Sequence, residues 1–164
     1  MNLKRYAAAI SMAILAWMSS AASASAVQLS GVGGRFGSLD PESRDQAMAV
    51  GAHLEFETVG SRVHVQPGFL YWSSDRLSDL NPNLDVFYHF APPGQVSPYV
   101  GAGVGLHRYA FDGGPDPGTD AGANFFGGLL VPAGTTHVFL EGRYAATDRA
   151  QASILAGVTA RIGR

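Results

Sequence analysis

The stretch Ser97–Phe111, SPYVGAGVGLHRYAF, interleaves two residue sets. Val100, Ala102, Val104 and Leu106 stand at even positions, and Tyr99, Gly101, Gly103, Gly105 and His107 at odd ones. A period of two belongs to a β-strand, whose successive side chains point to opposite faces. One face here is aliphatic. The other carries glycine, one aromatic ring and one imidazole. A soluble sheet buries the aliphatic face in a core, whereas a barrel in a membrane turns it to lipid and points the other face into the bore.

The same alternation recurs along the chain and predicts eight strands. Besides Ser97–Phe111 these are Val27–Gly37, Gln46–Glu57, Arg62–Trp72, Leu84–Phe90, Gly122–Val131, Thr136–Ala146 and Gln151–Ile162. In the second, Met48, Val50, Ala52, Leu54 and Phe56 alternate with Ala49, Gly51, His53, Glu55 and Glu57. Most reach the roughly nine to eleven residues that a tilted membrane strand needs. Leu29 and Val32 have opposite parity, so a bulge is expected between them. Pro67 removes a ladder donor, so a kink or bulge is expected at Gln66–Gly68. The links after the second, fourth and sixth strands (Thr58–Ser61, Ala91–Val96 and Pro132–Thr135) are short and free of acid. Those at the other end, Ser38–Asp45, Ser73–Asn83 and Phe111–Ala121, are longer and acidic, and Thr147–Arg149 is short. Short turns at one end and longer loops at the other are the habit of bacterial outer-membrane barrels.

The placement of charge separates a membrane barrel from a soluble one. Of thirteen acids, Asp40, Glu42, Asp45, Asp75, Asp79, Asp112, Asp116, Asp120 and Asp148 are read in the outer links. The remaining Glu55, Glu57, Asp85 and Glu141 take the polar face of strands, as do all five histidines: His53, His64, His89, His107 and His137. Arg108 has aliphatic-face parity near a strand end, where it can snorkel to headgroups or meet an anionic lipid. A soluble barrel with the same two faces would show solvent histidine, glycine and phenylalanine but no lysine, a poor solvating surface.

Composition agrees. The 164 residues contain no cysteine, which excludes disulfides and thiolate chemistry. Lys4 and Arg5, the apolar run Ala7–Met18 and the small residues Ala24-Ser25-Ala26 read as a secretory signal peptide over 1–26, leaving a single domain over 27–164. No lysine follows residue 4 and no basic patch occurs, so nucleic acid is not an expected partner.

The chain resembles the small eight-stranded outer-membrane barrels of Gram-negative bacteria, the group that includes the transmembrane domain of outer membrane protein A. Pro98–His107 (PYVGAGVGLH), Ala123–Leu129 (ANFFGGL), Phe139–Tyr144 (FLEGRY) and Ile154–Ile162 (ILAGVTARI) are similar to segments of that family. The resemblance implies an all-β, antiparallel up-and-down transmembrane barrel in the outer membrane. Its termini would be periplasmic, outer-membrane lipid and lipopolysaccharide would surround it, and the barrel-assembly machinery would insert it. Such barrels usually end in an aromatic residue, which that machinery reads; this sequence ends Ile162-Gly163-Arg164. No peptidoglycan-binding domain follows, and no wall-anchoring role is expected.

An eight-stranded barrel is just wide enough for side chains to fill. Glu55, Glu57, Arg62, His64, Gln66, Asp85, His89, Asn124, His137, Glu141, Arg143 and Arg161 are therefore expected to form an interior polar plug. Glu55 or Glu57 should face Arg62, and Asn124 should lie near Arg143. Tyr71, Trp72, Tyr88 and Tyr144 are expected at the membrane interfaces. The histidines come from separate strands without short spacing, and Asp112–Asp120 lacks the spacing of a calcium loop, so neither metal nor cofactor is expected. Some barrels of this size act on lipid A through serine, histidine and an acid facing the membrane. Here no histidine has lipid-face parity and no G-x-S-x-G occurs, so no enzyme is expected. A narrow ion path is the other alternative to a plugged, structural or surface-contact protein.

Overall fold

The computed structural model describes residues 27–162 apart from 42–44, 59, 75 and 114–117. The leader expected over 1–26 lies outside the described residues. Eight strands follow in order: β1 Val27–Pro41, β2 Ala47–Thr58, β3 Val63–Ser74, β4 Leu77–His89, β5 Ser97–Phe111, β6 Gly118–Ala133, β7 Thr136–Ala146 and β8 Gln151–Arg161. Each pairs antiparallel with the next, and β8 pairs back onto β1, so the sheet closes as a barrel. Closure removes the unpaired sheet edges that would otherwise template association.

Sidedness follows the sequence period. Phe36, Val50, Leu54, Phe69, Val100, Leu106, Phe125, Leu140 and Ile154 are exposed on the outside, while His53, Glu55, Asp85, His107, Glu141 and Arg143 are buried inside. The β1 bulge falls at Leu29/Gly31, where the register to β2 shifts. Pro67 behaves differently from the expectation of a kink or bulge. Pairing of β3 with β2 lapses between His53↔Gly68 and Phe56↔Val65 but resumes in the same register, and Pro67 stays opposite Leu84 of β4. A missing donor has interrupted the ladder without adding a residue.

The links differ from expectation. β3 runs on to Ser74 and β4 begins at Leu77, so most of the expected loop Ser73–Asn83 is strand. Asn81, Pro82 and Asn83 are turn formers by composition, yet their pairing with Leu70, Phe69 and Gly68 holds them extended. β1 and β6 similarly take in Asp40 and Asp120. The links at that end are 42–46, 75–76, 112–117 and 147–150, and those at the end bearing the termini are 59–62, 90–96 and 134–135. Neither end carries distinctly longer loops, because the strands have consumed residues whose polar character suggested loop.

The glycine face of β5 has a steric cause. A Cβ on Gly101 would stand 2.4 Å from the Phe126 ring, and one on Gly103 would stand 2.1 Å from Asp85 Oδ1. Bare backbone on β5 makes room for the large side chains that fill the bore from β4 and β6.

Candidate functional site

The bore is filled at three levels. At its centre Arg143 of β7 donates from Nε to Glu141 Oε1 (3.0 Å) and from an NH2 group to Asp85 Oδ2 of β4 (2.8 Å). Arg35 of β1 reaches the same Glu141 at 3.4 Å and also donates to Gln66 of β3. Tyr99 donates to Glu141 Oε2 at 3.0 Å, and Asn124 donates to Asp85 Oδ1 at 3.4 Å. Asn124 and Arg143 therefore meet on one carboxylate. The guanidinium of Arg143 also lies 4.3 Å from the Phe126 ring centroid, and that of Arg35 lies 5.8 Å from Phe139. Buried charges of both signs are tolerable only when paired in this way.

Towards the end away from the termini, Asp79 is fully buried and collects three partners. Trp72 Nε1 donates to it at 3.2 Å, His107 Nδ1 lies 2.7 Å away and Gln151 donates at 3.3 Å. Leu39, Leu70, Leu77, Tyr109 and Leu155 pack around this level. Asp79 was expected in an outer link, and Trp72 at a membrane interface. Both are corrected: Trp72 shares the inward parity of Gln66 and Leu70, and only 1% of its surface is exposed. Tyr71, Tyr88 and Tyr144 lie on the outer surface.

At the end bearing the termini, Glu55 of β2 accepts from or pairs with His64 Nδ1 of β3 at 2.7 Å and His137 Nε2 of β7 at 3.4 Å. His89 of β4 packs edge-on to His64, with ring centroids 4.6 Å apart. These groups form the floor of an open-mouthed cavity of about 60 Å³. Glu57, Arg62 and Arg161 line its mouth and do not plug the interior, which corrects their expected placement. Arg62 precedes β3, is exposed, and donates to the Phe90 carbonyl at 3.2 Å. It pairs with neither Glu55 nor Glu57; the Cα partner of Glu57 is His64, and its side chain accepts from Gln28 at 3.3 Å. Between the mouth and the far end, the cavities beside Glu141 and Arg143 measure about 10 Å³ each. That is space for about one water molecule.

The expected set left out Arg35, His53, Asp79, Tyr99, His107 and Gln151, although the parity of His53, Tyr99 and His107 already places them on the polar face. A signal existed for Arg35, since Phe36 and Val32 face outward once the β1 bulge is placed, so Arg35 must face inward. Asp79 has the parity of Asp85, but the intervening Asn-Pro-Asn concealed the strand.

No protein-family model matches the sequence, and no curated protein matches it. Solved structures do resemble the fold. Neisserial surface protein A superposes with a TM-score of 0.68 over 84% of this chain and 99% of that one, at 13% identity. The N-terminal β-barrel domain of Pseudomonas aeruginosa OprF superposes at 0.65 over 84% of this chain and 100% of that one, at 17% identity. The chain shares the closed eight-stranded antiparallel barrel fold of these two proteins. At these identities the shared property is architecture: strand number, antiparallel order and closure.

Proposed function

We propose that this chain is an integral outer-membrane barrel protein of a Gram-negative envelope, non-catalytic, with a bore plugged by paired polar side chains. The observation that carries this reading is the outer surface. Phe36 (58% exposed), Leu140 (58%) and Ile154 (66%) belong to a belt of apolar side chains around a cylinder whose ionisable groups face inward. A soluble monomer rarely exposes a contiguous apolar patch beyond a few hundred Å². Lipid is the solvent that makes this surface favourable. The likeness to a neisserial surface protein and a Pseudomonas barrel domain supports the same placement.

Outer-membrane lipid and lipopolysaccharide are the partners of the belt, and the barrel-assembly machinery inserts it. Tyr71, Tyr88 and Tyr144 serve as interface aromatics, each with its ring outside the barrel. Exposed Arg108 near the end of β5 meets anionic headgroups. With the termini in the periplasm, the opposite rim presents exposed Asp45, Asp112 and Asp148 outward as a surface for contact. The roughly one-water cavities favour the plug over a conducting path.

Electrophoresis of fractionated envelopes tests the reading. The chain should partition with the outer membrane and migrate differently before and after boiling, because a folded barrel resists detergent. A monomer soluble in the aqueous fraction without detergent would overturn it.

A further inference from the structure

Four strands deliver Glu55, His64, His89 and His137 to one place at the bottom of the terminal cavity. The ligand-capable atoms of Glu55, His64 and His89 all lie within 4.8 Å of one another. Glu55 already approaches His64 at 2.7 Å with one oxygen and His137 at 3.4 Å with the other. Zinc holds imidazole nitrogen and carboxylate oxygen at about 2.0–2.2 Å, which places neighbouring ligand atoms of a tetrahedral site about 3.3–3.6 Å apart. The present separations bracket that spacing, from 2.7 Å between Glu55 and His64 to no more than 4.8 Å across the set.

The chemistry of the set is specific. Two or three imidazoles with one carboxylate suit zinc, cobalt, nickel and copper ions and suit magnesium or calcium poorly. The rings are also pre-positioned. His64 stacks on Phe87 at 5.3 Å, and His89 is held by ring packing against Phe87 at 5.1 Å and Tyr99 at 5.8 Å. Aromatic packing fixes ring orientation while leaving nitrogen lone pairs for a ligand. The site has an entry path, since the cavity above it opens at the end bearing the termini. That mouth is lined by Glu57 together with Arg62 and Arg161, so the carboxylate that favours a cation is Glu55 on the floor and not the rim.

We propose that Glu55, His64 and His89, with His137 beside them, bind a divalent transition-metal cation of zinc-like chemistry. The paired plug at the barrel centre does not require this, and the site stands on its own geometry.

The test uses the untagged full-length barrel, purified in detergent, stripped with chelator and titrated with cobalt(II). The expected result is saturation at one ion per chain, with the intense visible bands of a tetrahedral cobalt site, and displacement by zinc. His89→Gln, which removes a ring and no ion pair, should weaken cobalt binding by at least about tenfold, the lower end of what even supporting groups contribute to metal sites. His64→Gln should do the same. His107→Gln, at the opposite end, should bind as the unaltered chain does. Heat-modifiable migration certifies that each variant is folded. Absence of saturable bands in the unaltered chain, or unchanged affinity in folded His89→Gln, would overturn the proposal.

Discussion

Arg143 concentrates the electrostatics of the interior, since it touches Glu141, Asp85 and the Phe126 ring at once. Removing one partner of a buried pair leaves an uncompensated charge and costs about 3–5 kcal/mol. Arg143→Ala should therefore lower stability by about that amount, whereas Arg143→Ala combined with Asp85→Asn should recover part of the loss. Urea unfolding of the detergent-solubilised barrel, followed by far-UV circular dichroism, measures both. Trp72 offers a second test at this scale. Its indole N–H donates to Asp79, so Trp72→Phe loses that bond together with part of the ring volume. A destabilisation of about 1.5–3 kcal/mol is expected for a bond to a charged acceptor. A cost near zero in the same unfolding assay would mean that the inward placement of Trp72 has no energetic weight.

Among the elements, β5 was the most legible and β4 the least. Every residue of Ser97–Phe111 belongs to one strand, and its alternation gave both faces correctly. In β4 the segment Asn81–Asn83 has local turn preference, and pairing to β3 overrides it. The interior glycines of β5 yield a prediction belonging to the strand as a unit. Gly103→Val would push a side chain onto Asp85 Oδ1 and the Leu84 carbonyl, the latter 2.5 Å from its Cβ. Backbone on one side and a paired carboxylate on the other leave it nowhere to go. This variant should fail to give the folded, detergent-resistant electrophoretic form, while Gly142→Ala, where nothing crowds the added carbon, should migrate normally.

For the whole molecule, the apolar belt is the quantity to perturb. Leu140 sits mid-strand on β7, flanked by Leu129 and Ala156. Leu140→Arg should cost about 2–4 kcal/mol in a bilayer, the penalty for a cation on the lipid face away from both interfaces. Folding into phospholipid vesicles should fall accordingly, and the same substitution at a soluble surface would be nearly neutral. Period-two patterning is a property of neighbouring residues, so strand number, the two faces and the inward set of histidines were readable from the sequence, while closure into a barrel was what the family resemblance implied. Which charges meet is not local. Glu141 and Arg35 are brought together by closure of β8 onto β1, and Glu55 reaches His137 because the bore is one side chain wide. Strand tilt and register set those partners, as pairing to β3 set the length of the link that would otherwise have held Asp79. Faces are fixed by the order of residues along the chain, and partners only by the cylinder they close.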